Sequence, residues 1–308
     1  MRWFIDIAIA LGTGALLFFA GNYYDNNIAD KVSKQRRLLL KILSFVKSKD
    51  SRIAITYGCV TPLGDSDAFM LEQGDFSAII KSRDIINIAF PTIRQDFLSS
   101  VDLFPNLLKY DNVFSISGPR WNTITAKIMG DLGCPVEFVA EKRMVKVTNK
   151  TTMKSVEYET VKKAGELATE CYGIILSGNV ERPGFQNQKV VVCAGRTTLS
   201  TYSCISYLNH LSNSKNEVKK LLSRGIRGDN NWCVLLRTRR SPSTVQGTNL
   251  PLHDVDVTFD VVQIFHHDDF LAPYQLTWNH ANNCESYPYS IAPTIELYQA
   301  VTLSGNPQ

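Results

Sequence analysis

Along this chain the spacing of apolar positions switches between about two and about three and a half residues, the mark of alternating strands and helices. One block comes first and is different. Trp3 to Gly21, WFIDIAIALGTGALLFFAG, is uncharged apart from Asp6. As a helix it would rise roughly 28 Å, close to the hydrocarbon thickness of a bilayer. Trp3 on one side and Tyr23 and Tyr24 on the other stand where interfacial aromatics do. Arg2 is the only basic residue before the block, and Phe18-Phe19-Ala20 makes a poor cleavage site. The block therefore predicts a retained membrane anchor rather than a signal peptide or a core helix. Ile28, Val32, Leu39, Ile42, Leu43 and Val46 then recur at three- and four-residue intervals, an amphipathic helix ending before Ser48 to Ser51.

The body follows. Arg52 to Thr61 reads as a strand, and Phe76, Ile79, Ile80, Ile86 and Phe90 predict a helix that Pro91 ends. Asp111 to Ser117 is the next strand, with a helix through Met129 after it. Val136 to Ala140, Met144 to Thr148 and Lys154 to Tyr158 alternate apolar and polar residues, a β-hairpin or small meander. Tyr172 to Leu176 is a short core strand, and Val190 to Ala194 has the composition of a strand buried on both faces. Tyr202, Ile205, Tyr207, Leu208 and Leu211 predict a helix. A short basic helix over 217–224, a strand from Trp232 to Thr238 and a strand from Val255 to Ile264 complete the body, with one more element near Ile295 to Leu303. The expected organisation is an anchor over 1–24, a basic juxtamembrane helix over 25–51, and an α/β domain over 52–308. The expected fold is a Rossmann-like, mostly parallel sheet with an inserted β-hairpin or meander, preceded by one transmembrane helix.

Charge sharpens the placement. The net charge is +4, yet residues 1–52 carry nine Lys or Arg against four Asp, so the rest of the chain is nearly neutral. A near-neutral body argues against nucleic acid as a partner, which calls for a basic patch or stripe. Basic residues crowd the C-terminal side of the apolar block, which by the positive-inside rule puts the body in the cytoplasm under an inner or plasma membrane. Lys31, Lys34, Arg36, Arg37 and Lys41 are candidates for contact with anionic lipid headgroups, the alternative being a linker helix with a solvated basic face. Seven cysteines are scattered without a C-x-x-C pair, which suits buried free thiols in a reducing compartment.

Two strand–loop–helix turns carry the candidate chemistry. The first offers Ser117, Gly118, Arg120, Asn122 and Thr123, the second Gly195, Arg196, Thr197, Thr198 and Thr201. Each has a glycine where the chain must turn, an arginine able to clamp an anion, and hydroxyl or amide groups at a helix N-terminus. The same residue types also serve as N-caps and turn residues with no ligand present. Neither turn is a P-loop, since the Lys-Ser/Thr ending is absent. With Gly118-Pro119-x-x-Asn122 and Gly195-x-x-x-x-Ser200-Thr201, residues 53–240 resemble the broad class of Rossmann-like bacterial domains, many of unassigned function. That resemblance implies a nucleotide-like ligand and no catalytic residue.

His253, Asp256 and His266 to Asp269 form the one metal-like cluster, and solvated loop residues are the simpler account of it. No G-x-S-x-G elbow occurs, and neither Cys59 nor Cys193 has a nucleophile's local signature. The sequence names no cofactor. It leads to a membrane-tethered module that binds a small anionic or nucleotide-like ligand. A hydrolase or transferase acting on such a ligand, and a scaffold without one, are the alternatives.

Overall fold

The computed structural model describes residues 28–43, 45–46, 50–58, 73–99, 107, 109–139, 144–161, 169–181, 187–240 and 257–273. All of them belong to one compact unit. Its spine is a seven-stranded sheet made of β1 (Arg52–Tyr57), β2 (Arg94–Ser99), β3 (Asn112–Ile116), β7 (Glu170–Val180), β8 (Gln188–Gly195), β9 (Trp232–Arg240) and β10 (Val257–His266). In space the order is β10-β9-β7-β8-β3-β1-β2. Three further strands, β4 (Val136–Val139), β5 (Met144–Thr148) and β6 (Ser155–Glu159), make a small antiparallel meander of their own.

The mostly parallel Rossmann-like sheet expected from the sequence is corrected to a mixed one. β2, β1, β3 and β8 pair in parallel. β7 is antiparallel to both its neighbours, β8 and β9, and β10 is antiparallel to β9. The reason lies in the connections. Only seven residues separate Val180 from Gln188, too few for the crossover of a dozen or more that a parallel pair requires.

Helices cover both faces. α2 (Gln73–Ala89), α4 (Thr198–Asn213) and α5 (Lys215–Ser223) share a core with Ile53, Phe114, Ile116, Val191, Cys193, Val234 and Leu236. α3 (Thr123–Leu132) and the meander share the other core with Ala54, Val113, Val190, Val192, Ile174 and Leu235. Odd and even positions of one strand therefore serve different layers, as the pleat dictates. Where α4 crosses the sheet, a Cβ on Gly173 would stand 2.6 Å from Cys204 Sγ and 2.9 Å from the Ser200 carbonyl. Glycine there lets the helix sit close.

The amphipathic helix over residues 28–42, α1, is part of this body. Leu39, Ile42 and Leu43 are fully buried in the α2–α4 core, with Phe45 just after them. Lys31, Lys34, Arg36, Arg37 and Lys41 are exposed on its outer side. The Asn112 side chain ties the end of this segment to β3, accepting from the Val46 amide at 2.7 Å and donating to the Val46 carbonyl at 3.2 Å.

The single-pass anchor, and with it the inner- or plasma-membrane placement of a cytoplasmic domain, does not stand. No helix among the described residues is long and apolar enough to cross a membrane. α1, which was to lead out of the bilayer, buries Leu39 and Ile42 in the protein core instead, with Leu43 just after them, while Ile28 and Val32 near its start are exposed. Trp3 to Gly21 lies outside the described residues, as do His253, Asp256 and the element near 295–303.

Candidate functional site

β1, β3 and β8 are parallel neighbours, and their carboxyl ends deliver the chain to different faces. After β3 it enters α3 on one face, and after β8 it enters α4 on the other. Such a reversal between adjacent parallel strands is where open α/β sheets hold their ligands. The two sequence-derived turns meet at this point. A Cβ on Gly118 would overlap the carbonyl oxygen of Gly195, so the backbones of the two turns are in contact. The Ser117 amide continues the ladder by donating to the Cys193 carbonyl at 3.2 Å.

Below the contact lies a buried hydroxyl network. Thr56 Oγ1 donates to Ser115 Oγ at 2.8 Å, and the Ser115 and Thr125 hydroxyls are bonded at 2.8 Å. Thr125 Oγ1 donates in turn to the Ser117 carbonyl at 3.1 Å. Asn122 completes it. Its oxygen accepts from the amides of Ile124 (3.0 Å) and Thr125 (3.2 Å), and its nitrogen donates to Ser115 Oγ (3.1 Å) and the Ile116 carbonyl (2.7 Å). Asn122 is thus the N-cap of α3 with both polar atoms engaged.

Thr197 plays the same part for α4. Its hydroxyl accepts from the Ser200 amide at 3.2 Å, while Ser200 Oγ accepts from the Thr197 amide at 3.0 Å, a reciprocal capping box. Thr201 is buried in the first turn behind it. Gly195 has a packing reason, since a Cβ there would overlap Ser200 Oγ and the Thr201 amide. Ser117 is buried with φ at 87°, a left-handed conformation uncommon for a residue with a side chain. Its hydroxyl accepts from the Gly58 amide at 3.4 Å, which joins the end of β1 to the end of β3.

Of the ten candidate residues, Arg120, Thr123, Arg196, Thr197 and Thr198 remain at least partly exposed. Arg120 places its guanidinium 4.9 Å from the ring centroid of Trp121, whose backbone packs on Gly58 beyond β1. The Arg196 amide donates to the Tyr172 carbonyl at 3.4 Å, on the β7 side.

The same edge carries a group that the sequence reading missed. Because β7 and β10 run against β9, Glu170, Arg237, Arg239 and Asp260 come together at the carboxyl edge of β8. Arg239 bonds Glu170 at 3.0 Å and Asp260 at 2.9 Å, and Arg237 bonds Asp260 at 3.0 Å. The Tyr172 hydroxyl donates to Glu170 at 2.7 Å. Burial, then the bond to Glu170, pushes the Tyr172 hydroxyl up to about 12. Burial alone would raise the Glu170 carboxyl, but the bonds from Tyr172 and Arg239 and the charges of Arg237 and Arg239 outweigh it and hold it below the usual value. The alternation of Arg237 and Arg239 about the buried Thr238 was the available signal.

The cysteine thiols near the site are poor nucleophiles. Burial pushes Cys171 up to about 11, against hydrogen bonds to Thr197 and Ser200, and raises Cys193 and Cys204 well above the ordinary range. His266 to Asp269 forms a turn in which Asp269 accepts from the His266 amide at 2.8 Å. Among the described residues no group of three or more His, Cys, Asp or Glu could hold a metal ion.

No protein-family model matches the chain, and no curated protein matches it either.

Proposed function

We propose that this chain is a binding module for a small anionic, nucleotide-like ligand, seated across the carboxyl ends of β1, β3 and β8 and the amino end of β7. The observation that carries the reading is the divergence of the turns after β3 and β8 to helices on opposite faces. The helix caps and the hydroxyl network form a rigid, satisfied floor. Arg120 with Trp121 at one end and Arg196 at the other supply the charge and the ring face that an elongated anion with a planar base would use. Asn122 and Thr197 act by holding the turns in shape, and Gly118 and Gly195 by letting them touch.

The test is thermal denaturation of the full chain against nucleoside mono-, di- and triphosphates and phosphorylated sugars. A ligand at a hundredfold excess over its Kd adds about 2.7 kcal/mol of stability, which reads as a rise in Tm. Arg196→Ala is expected to remove the rise without lowering the Tm of the unliganded chain by a comparable amount. A rise that survives both Arg196→Ala and Arg120→Ala would place the ligand elsewhere, and no rise across the panel would refute the module.

A further inference from the structure

The fold gathers positive charge that the order of residues along the chain disperses. Two hydrogen bonds fasten α1 beside α4 and α5. Gln35 Nε2 donates to Asn213 Oδ1 at 2.8 Å, at the end of α4. The Gly228 amide, in the turn after α5, donates to the Lys41 carbonyl at 3.3 Å. α1 and α5 also bury residues in the same core, Leu39 and Ile42 from one, Val218 and Leu221 from the other. Their outer sides therefore belong to one surface. The bonds from Asn112 to Val46 put the end of α1 at the amino end of β3, the opposite end of the sheet from the two turns.

That surface is basic. To the five exposed cations of α1, α5 and the turn after it add Lys215, Lys219, Lys220, Arg224 and Arg227, all exposed. Residues 28–43 and 215–230 hold ten Lys or Arg against three acids. Two of those acids are already engaged, Asp30 with Lys34 at 2.6 Å and Glu217 with Lys220 at 2.7 Å. The whole chain is only +4, so everything outside these two segments is net negative. Charge summed along the body comes out nearly neutral because acids elsewhere offset the cations of α5.

The rest of the surface narrows the choice of polyanion. Lys34, Arg37 and Lys41 follow at three- and four-residue spacing along the side of α1 opposite Leu39. The exposed Ile28 and Val32 stand on the Leu39 stripe and not among these cations. Among the described residues, no large apolar side chain of α5 or its turn is exposed. A membrane surface or a protein partner calls for apolar anchors, and a single strand for aromatic platforms. Lysines and arginines interspersed with Asn216 and Ser223 suit phosphate oxygens. We infer that the α1–α5 face binds the phosphate backbone of a nucleic-acid duplex without regard to base sequence. The basic patch that such a partner requires is assembled by the fold.

The experiment is fluorescence anisotropy of the full chain with a labelled DNA duplex of about 30 base pairs, over a range of salt concentrations. A Kd of about 1–100 μM is expected near physiological salt, with log K falling against log salt at a slope of about −5, as about six neutralised phosphates give. Arg37→Ala and Lys219→Ala, one from each helix, should each weaken binding by about threefold or more and reduce the slope by about one. Lys150→Ala and Lys154→Ala remove the same charge from the exposed turn of the meander, on the other face of the sheet, and should change neither. Vesicles containing phosphatidylserine are run in parallel. Three outcomes overturn the inference: no saturable duplex binding at low salt, equal weakening by the meander variants, or binding to the vesicles without binding to the duplex.

Discussion

Glu170 shows how a single side chain at the sheet edge couples stability to pH. Its carboxyl is held below the usual glutamate value of 4.5, since the bonds from Tyr172 and Arg239 and the neighbouring arginine charges exceed the opposing effect of burial. A depressed folded value means that the unfolded chain takes up the proton first. Its contribution is therefore complete above about pH 5.5, well clear of the unfolded value, and is lost as pH falls through the folded one. Glu170→Gln is expected to cost about 1 kcal/mol or less at pH 7, because Arg239 is half exposed. It should also flatten the acid side of a plot of urea midpoint against pH, and an unchanged slope between pH 6 and pH 3 would contradict the assignment. At this scale the sequence was only partly legible. Asn122 and Thr197 were singled out for the right turns, yet they prove to be helix caps with their polar atoms engaged. Caps and anion sites draw on the same short polar residues at the same positions, so composition alone does not part them.

At the scale of elements, what could be read was whatever depends on local spacing. The alternation over 136–158 corresponds to a three-stranded antiparallel meander, and the apolar run after Gln188 is a strand buried on both faces. Strand direction was not local. The sheet was expected to be mostly parallel, although the seven residues between Val180 and Gln188 forbid the crossover that a parallel β7–β8 pair needs. Counting that loop would have corrected the sheet. α1 was legible as an amphipathic helix, but an amphipathic stripe says that a face is covered without saying by what. It is covered by the body, with Leu39, Ile42 and Leu43 wholly buried. Leu43→Ala should therefore cost about 2–5 kcal/mol, the range for emptying a leucine site in a packed core. A solvated linker helix would lose next to nothing, and chemical denaturation of the two full-length chains decides between the two.

The whole molecule is a sheet with a separate apolar layer on each face, and its strands are shared by both. Phe114 and Ile116 face α4 while Val113 faces α3, and all three belong to β3. Neither layer can be lost while the sheet persists intact, because each strand would then expose half its side chains to water. Shared strands therefore predict one cooperative opening for the described body in place of one for each face. Ile205 lies in the α4 layer and Ile128 in the α3 layer, both essentially inaccessible to solvent. Ile205→Val and Ile128→Val should each lower stability by about 1 kcal/mol. With no contact between the sites, the double variant should lose the sum to within about 0.5 kcal/mol. Native-state hydrogen exchange of the β3 and β8 amides reads this directly. Each variant should lower the opening free energy of both strands by its full cost, whichever face it occupies. Were Ile128→Val to lower exchange protection in α3 and leave α4 and β8 untouched, the layers would be unfolding independently. The turns after β3 and β8 would then lose the common support that keeps Gly118 against Gly195.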